Sequence, residues 1–536
     1  MPVVHNLAVV AVLVLSLSAM PAGVAAADAP AATSSADAAI RAAVPNPVAD
    51  GDAGEFVVIR ASPGGNWTLD DGEDVVAVPS NRSASTVAVS DDPAAARNIT
   101  DAPVVGVTHL SLSNSGERLR LRRNGTVVDT LDYRDAPEGQ RLVRADTGTE
   151  WRPVGFSPRD VHTHGRATVT GFVLPDSPAT PVATLRSARE RILLAGYTFT
   201  SERVADALIA AERRGVTVRV LVDGDPVGGR SARGAATLDR IANAGVEVAV
   251  IGGPRARFNF HHPKYAVVDD RALVMTENWK PAGVGGRSSR GWGVVVDSSA
   301  VAADLAGLFR IDTGWTDAIP WTRFRRGKRF DPVPPANGTY PSNTEPMTAT
   351  ATDIQVFTAP GNAESALVGV IDGATERVDV IQPSIGRRDG PLLDATIRAA
   401  ERGAEVRILL SGAWYAVEEN AALVDWLNRI AERRGLPLSA RVAEPRGRFE
   451  KIHAKGVVAD DVVVVGSLNW NANAATQNRE VAVAVRSERL ATYFREVFEA
   501  DWKQGIDRTT WIVAAGALAA LVLALVVARK TIRFER

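Results

Sequence analysis

The chain has 536 residues, a formal net charge of −1 and the apolar content of an ordinary globular protein, so its charge alone predicts no partner. It contains no cysteine, which excludes disulfides, cysteine-ligated zinc and a thiol nucleophile. Only seven histidines occur and no H-E-x-x-H motif is present, so we expect no metal ion and no cofactor. The length allows three or four domains.

The amino-terminal segment, residues 1–26, has the pattern of a secretory signal peptide. Residues 6–20 are mostly apolar and lead to a small-residue sequence at 24–27. The basic residues that usually precede the apolar run are missing, so an uncleaved anchor is the alternative. Residues 27–47 are rich in Ala, Ser and Asp and predict a flexible leader.

Residues 48–165 have a β-type pattern. Short apolar runs, such as 56–59 and 75–78, alternate with turn signals, and helical periodicity is absent. The pattern predicts an all-β sandwich of the immunoglobulin type. Sequons of the form N-x-S/T indicate glycosylation outside the cell, with unused sequons as the alternative. They begin at Asn66, Asn81, Asn98, Asn124 and Asn337.

Four stretches of this segment, at 54–57, 67–72, 112–117 and 128–129, resemble the lamin-tail domain, which is an immunoglobulin-like module. The segment contains no catalytic constellation. The resemblance therefore implies a spacer or adhesion role.

One motif, H-x-K-x4-D followed by a tetrapeptide that ends in Asn, occurs twice. The first copy contains His262, Lys264, Asp269, Thr276 and Asn278, and the second contains His453, Lys455, Asp460, Ser467 and Asn469. Apolar residues around both copies predict β-strands, on which positions i and i+2 share a face. The His and Lys of each copy therefore point the same way. The Asp points to the opposite face, so we expect it to be structural.

The two motifs lie in repeats, at residues 170–315 and 353–505. Each repeat alternates strand-like and helix-like runs, and each has a helix ending near Ala-Ala-Glu-Arg with a glycine stop behind it, Gly215 and Gly403. This alternation predicts an α/β sandwich in each repeat, with the motifs meeting at the interface. Residues 316–352, rich in Pro, Arg and Thr, predict a linker.

The doubled motif resembles the phospholipase D superfamily of HKD phosphodiesterases, over roughly residues 170–505. The resemblance implies cleavage through a phosphohistidine without a metal ion. By analogy with the superfamily, we assign His262 as the nucleophile and His453 as the general acid. Lys264 and Lys455 supply positive charge, Asn278 and Asn469 donate hydrogen bonds, and Thr276 and Ser467 supply hydroxyls.

The two copies differ in their acidic residues. In the superfamily a carboxylate about 27 residues after the histidine can orient it, and Glu480 stands 27 residues after His453. We therefore expect Glu480 to orient His453. The matching region of the first copy, 289–291, contains no acid, so the group that orients His262 is left open. A degenerate first half is an alternative.

Two arginine-containing loops precede the motifs and suggest substrate binding. The first contains Arg255 and Arg257, and the second contains Arg446 and Arg448. Four guanidinium groups around the mouth of a site would suit an anionic headgroup or a polyanion. Solvated loop arginines are an equally plausible interpretation.

Residues 511–528 contain no charged side chain and, at about 1.5 Å per residue, predict a transmembrane helix long enough to cross a bilayer. The basic tail, 529–536, predicts a cytoplasmic carboxyl terminus. Together with the signal peptide, this pattern predicts a single-pass protein of the cell membrane with its catalytic domains outside.

The substrate is less well determined by the sequence. The second repeat ends at residue 505 and the predicted span begins at 511, and this short tether predicts a site close to phospholipid headgroups, which favours a phospholipase D-like or cardiolipin-type activity. An extracellular nuclease that cleaves DNA is the first alternative, because the arginine loops suit DNA equally well. A surface binding protein with a decayed site is the second. No protein partner is deducible from the sequence.

Overall fold

The computed structural model describes residues 38–145, 148–156, 158–253 and 256–503. The predicted signal peptide, most of the predicted leader, the predicted membrane span and the basic tail lie outside these residues. No helix in the described ranges is both long enough and apolar enough to cross a membrane.

The amino-terminal domain is built from β-strands that form two sheets. The strands are β1 (Ala39–Val44), β2 (Phe56–Arg60), β3 (Trp67–Asp70), β4 (Val75–Val78), β5 (Thr86–Ser90), β6 (Val104–Gly106), β7 (Gly116–Arg123), β8 (Thr126–Arg134), β9 (Gln140–Ala145) and β10 (Gly148–Pro153), with a short helix α1 (Pro93–Ala96). One sheet has the order β10-β9-β1-β2-β5-β6 and the other β4-β3-β7-β8. Side chains from both sheets, among them Ile59, Trp67 and Leu121, share one core. The five sequon asparagines are all exposed.

The predicted leader boundary was wrong. Residues 39–44, which we expected to be flexible, form β1 and pair with both β2 and β9 in the middle of a sheet. The composition of this segment is Ala-rich, but Ile40, Ala43 and Val44 are fully buried. Small side chains pack well between two covered sheet faces, so tertiary packing overrides the low strand propensity of alanine.

The first α/β half follows β11 (His162–His164). Its elements are β12 (Ala167–Leu174), α2 (Ala179–Arg186), β13 (Arg191–Gly196), α3 (Glu202–Arg213), β14 (Thr217–Asp223), α4 (Ala232–Asn243), β15 (Glu247–Ile251), β16 (Tyr265–Val268), β17 (Arg271–Met275), β18 (Ser289–Asp297), α5 (Ser299–Thr313), β19 (Ala318–Pro320), α6 (Trp321–Phe324) and β20 (Met347–Ala351).

The second half repeats this plan. Its elements are β21 (Asp353–Ala359), α7 (Ala363–Asp372), β22 (Arg377–Gln382), α8 (Pro391–Glu401), β23 (Glu405–Leu410), α9 (Val417–Arg434), β24 (Leu438–Val442), β25 (Lys451–Ile452), β26 (Gly456–Ala459), β27 (Val462–Gly466), α10 (Ala472–Thr476), β28 (Glu480–Arg486) and α11 (Glu488–Trp502). In both halves a central helix stops before a glycine in the left-handed region, Gly215 (φ +85°) and Gly403 (φ +101°), where L-residues are strained.

The two sheets have the same strand order. The run β15-β14-β13-β16-β17-β18-β12 in the first corresponds to β24-β23-β22-β26-β27-β28-β21 in the second. Inner faces of both sheets, together with α5 and α11, bury one shared core that includes Val294, Val465 and Phe494. Helices α2 to α4 cover the outer face of the first sheet, and α7 to α9 cover that of the second.

The predicted linker, 316–352, is more ordered than its composition indicates. It contains β19 and α6, and β20 pairs with β12 as an edge strand of the first sheet. The segment between the β-domain and the first half contributes a strand to the second sheet, because its β11 pairs with β21. The connecting segments therefore fasten the halves to each other.

Candidate active site

Each motif histidine and lysine stands directly before the strand that leads into the centre of its sheet, β16 or β26. At the other end of these strands, Asp269 and Asp460 occupy tight turns with positive φ. Asp269 accepts the backbone N–H groups of residues 189–191 at 2.8–3.2 Å, and Asp460 accepts those of 375–377 at 2.8–3.0 Å. The two aspartates thus fasten neighbouring strands and lie away from the histidines.

The two repeats hold each other's histidines through the backbone. The N–H of His262 donates to the carbonyl oxygen of Arg479 at 2.9 Å, and the N–H of His453 donates to that of Arg290 at 2.9 Å. These contacts arise because the segment before each motif lies beside the start of the opposite β18 or β28. The motifs consequently meet across the interface between the halves.

Glu480 orients the histidine of the opposite repeat, so our assignment of this residue to His453 was wrong. Both oxygens of the Glu480 carboxylate lie 2.9 Å from Nδ1 of His262. The start of β28 runs beside the first motif, which carries Glu480 to His262. Burial opposes ionisation of Glu480, but the His262 ring, its hydrogen bond and Lys264 keep the carboxyl pKa below its ordinary value.

His453 has a carboxylate partner that the sequence reasoning missed. Oε2 of Glu277 lies 3.3 Å from Nδ1 of His453, and Glu277 is fully buried. Burial raises the pKa of Glu277 to about 7, although the nearby lysines Lys455, Lys280 and Lys264 oppose the shift. Its position between Thr276 and Asn278, inside the motif tail, was the one available signal.

Both imidazoles are neutral at neutral pH. Burial lowers the pKa of His262 to about 4, even though Glu480 pulls it upward. Burial, with Lys455 and Lys264 close by, holds the pKa of His453 well below its usual value. The ionised Glu480 carboxylate accepts a hydrogen bond from Nδ1 of His262, so this neutral ring keeps its proton there and its Nε2 has a lone pair.

The two lysines are buried beside the histidines. Nζ of Lys264 donates to the carbonyl oxygen of His262 at 2.5 Å, and Nζ of Lys455 donates to that of His453 at 2.6 Å. Burial lowers the pKa of Lys455 to about 7 and that of Lys264 well below its usual value. A bound anion would raise both lysine pKa values and stabilise the charged ammonium forms that burial disfavours.

Tyr197, at the end of β13, was not predicted. Its ring lies 4.7 Å from the ring of His262 at a steep angle, and Nζ of Lys264 lies 5.5 Å from its centroid. Its hydroxyl accepts the N–H of Val227 at 2.5 Å, and burial raises its pKa to about 12. Tyr197 therefore forms a neutral wall of the site.

The hydroxyl groups of the motif bind the backbone of the neighbouring strands and do not face open space. Oγ1 of Thr276 accepts the N–H of Trp292 at 3.0 Å, and Oγ of Ser467 accepts that of Val481 at 3.0 Å. The motif amides differ in exposure, since Asn278 is buried and Asn469 is half-buried. The amide oxygen of Asn278 has no hydrogen-bond partner among the described residues.

The expected ring of four arginines does not form. Arg257 is buried and bonds both oxygens of Asp317 at 2.9 Å, so its role is structural. Arg448 turns inward, with Nη1 3.4 Å from Asp501. Arg446 is exposed beside Glu444, and Arg255 lies outside the described residues. The loops have matching sequences, but buried carboxylates below them bind two of the guanidinium groups.

No group of three or more His, Cys, Asp or Glu side chains suited to a metal ion occurs in the described part of the chain. The fold and the site thus define a two-repeat α/β protein with one composite His, Lys and carboxylate centre.

Comparison with known proteins identifies the family. The family described as "Cardiolipin synthase, PLD-like domain" matches residues 182–313 and 367–502, which together make up half of the chain. The chain belongs to this family and therefore to the phospholipase D superfamily, as the doubled motif predicted.

Individual relatives are more distant. Phospholipase D Z of Dictyostelium discoideum is 28% identical over 26% of this chain and 36% of its own length, and cardiolipin synthase A of Yersinia pseudotuberculosis is 25% identical over 55% and 60%. The chain thus spans less than two thirds of either relative. Among solved structures, phosphatidylserine synthase of Haemophilus influenzae is 13% identical, with a TM-score of 0.45 over 64% of this chain and 85% of its own.

Proposed function

We propose that this chain is a phosphodiesterase that forms a covalent phosphohistidine and acts on phospholipids at a membrane surface. The observation that carries the proposal is the pair of histidines, each with Nδ1 facing a buried carboxylate of the opposite repeat, beside two buried lysines. This arrangement offers two reactive imidazole nitrogens and a strongly anion-stabilising environment.

The proposed reaction has two steps. Nε2 of His262 attacks phosphorus, the bond from phosphorus to the leaving alcohol oxygen breaks, and His453 gives that oxygen a proton. His453 then takes a proton from water or an acceptor alcohol, whose oxygen attacks phosphorus and releases His262. His453 can be protonated in the complex because the substrate's negative charge raises its pKa. Tight binding of Glu480 to His262 supports His262 as the nucleophile.

An exposed aromatic loop supports a lipid substrate. Trp414 and Tyr415, between β23 and α9, are 88% and 51% exposed, and Val417 beside them is 38% exposed. The Tyr415 ring lies 5.2 Å from Nζ of Lys451, which is two residues ahead of His453. Tryptophan and tyrosine favour the boundary between lipid and water, so this loop suits a bilayer that presents headgroups to the site.

The test offers the full chain anionic phospholipid vesicles, single-stranded DNA and double-stranded DNA in parallel, in EDTA and at controlled salt. We expect headgroup release from the vesicles and intact DNA. Nicking of DNA without headgroup release, weakening as salt rises, would replace the proposal with a nuclease. Binding to either substrate without turnover would indicate a surface binding protein.

We also propose that residues 511–528 anchor the protein in the cell membrane with the catalytic domains outside. The uncharged run and the basic residues behind it support this orientation. Protease added to intact cells should then remove everything except a small carboxyl-terminal fragment. Protection of the catalytic repeats would reverse the orientation.

A further inference from the structure

The strand pairing shows which positions of the two repeats correspond at the site. Thr276 pairs its hydroxyl with the N–H of Trp292, and Ser467 pairs its hydroxyl with the N–H of Val481. In chain order, Gly291 therefore corresponds to Glu480. By the same register, Glu277 corresponds to Leu468. The first repeat thus has an acid, Glu277, where the second has an apolar residue, Leu468. At the other position the first repeat has Gly291 and the second has the acid Glu480.

The absence of a side chain at Gly291 allows the acid to stand at position 277 instead. A Cβ built on Gly291 would lie 2.2 Å from Cγ and 2.7 Å from Oε1 of Glu277. A side chain at position 291 and the side chain of Glu277 would therefore occupy the same volume. On its other side, the Glu277 carboxylate packs against Gly283, where an added Cβ would lie 2.6 Å from Oε2. The two glycines leave room for this buried carboxylate.

We propose that Glu277 is the positioning residue of His453, a relocated counterpart of Glu480 for which Gly291 provides the space. The carboxylate reaches Nδ1 of His453 from the end of β17 instead of the start of β18. The Nδ1 proton then stays on the side of Glu277, and Nε2 is left to give and take the proton of the reaction. This inference rests on the proposed function, but the pairing itself can be tested without turnover.

The decisive experiment moves the acid to the position it has in the second repeat. In the full chain, Glu277→Leu should lower kcat by about 10²-fold to 10³-fold with KM changed little, because the orientation of His453 is lost. Gly291→Glu alone should fold poorly, since two carboxylates compete for one volume. The double variant Glu277→Leu/Gly291→Glu should recover kcat to within about tenfold of the wild type.

A second readout separates this inference from the proposed function. Imidazole ¹⁵N shifts, assigned with His453→Ala, should show the Nδ1–H tautomer of His453 in the wild type, its loss in Glu277→Leu and its return in the double variant. If the wild type turns over no substrate, these shifts and the melting temperatures of the four proteins still decide the pairing. Should Glu277→Leu be unfolded, the isosteric Glu277→Gln takes its place, with an expected change in the pH profile of kcat.

Two results would overturn the inference. The first is an unchanged His453 tautomer in folded Glu277→Leu. The second is a double variant that is folded but is no more active than Glu277→Leu, while the wild type is active.

Discussion

At the scale of single residues, the site depends on which carboxylate faces which imidazole. Glu480 bonds His262 at 2.9 Å and stays ionised, whereas Glu277 lies 3.3 Å from His453 and has a pKa near 7. The two histidines are thus chemically unequal despite the symmetric fold. An ionised partner suits the ring proposed to attack phosphorus, because that ring must carry a developing positive charge.

The assignment of His262 as the nucleophile predicts a burst with an activated substrate. With a p-nitrophenyl phosphodiester, the leaving group needs little protonation, so His453→Ala should release about one equivalent of nitrophenolate and then stall. His262→Ala should release none. Rapid-mixing absorbance measures both. The reversed pattern, a burst only in His262→Ala, would exchange the two roles.

Glu480→Gln should lower kcat by about 10²-fold to 10⁴-fold with a small change in KM, because the amide no longer fixes the His262 tautomer or balances its charge. The exposed Glu496 on α11 provides the control, and Glu496→Gln should leave kcat unchanged. Steady-state kinetics on a soluble phosphodiester measures the difference. An equally active Glu480→Gln would contradict the orienting role.

Stability should rise with pH because Lys455 is buried. Its pKa falls from 10.5 to about 7 on folding, so between these values the unfolded chain binds a proton that the folded chain lacks. Stability therefore increases across this window, by at most about 1.4 kcal/mol per pH unit from this group. Lys264 contributes with the same sign. Lys455→Met should flatten the rise without abolishing it, as measured by urea unfolding from pH 7 to 10. An unchanged slope would contradict the shift.

At the scale of elements, the loop between β23 and α9 is distinguished by its exposed aromatic pair. Trp414→Ala should lower activity on anionic vesicles about tenfold and leave activity on a soluble substrate unchanged, because an interfacial tryptophan contributes to membrane binding and not to chemistry. Val75→Ala, at a 60% exposed apolar position of the β-domain, serves as control. Equal losses on both substrates would argue against membrane contact.

At the scale of the whole molecule, buried ion pairs join the repeats. Arg479, directly before β28, bonds Asp312 on α5 at 3.0 Å, and Arg290 on β18 contacts Asp501 on α11 at 2.8 Å. These arginines also supply the carbonyl oxygens that hold the histidine backbones. The interface and the site are thus stabilised by the same residues.

Arg479→Met should destabilise the chain by about 3–5 kcal/mol, because it leaves Asp312 charged and buried without its partner. Arg398→Ala, which breaks a half-exposed pair with Asp372, should cost less than about 1 kcal/mol. Denaturant unfolding measures both. Similar losses in the two variants would contradict the role of the buried pair at the interface.

The sequence by itself determined the superfamily, the α/β character of each half and the motif histidines and lysines that meet at the site, because these follow from short-range periodicity and from a motif repeated in full. The structural role of Asp269 and Asp460 also followed from strand alternation alone. The sequence did not predict the strands at residues 39–44 and 347–351. Their pairing partners lie far along the chain or in another segment, and their composition resembles that of a flexible segment.

Only the tertiary structure decided which acid serves which histidine. Sequence spacing links Glu480 to His453, but the start of β28 lies beside the motif of the other repeat, so the carboxylate reaches His262. Glu277 was not predicted for a related reason, because Gly291, in another strand, leaves the space that lets the Glu277 side chain reach His453. Contacts across the interface depend on how two folded halves pack, and spacing along one strand contains no information about that packing.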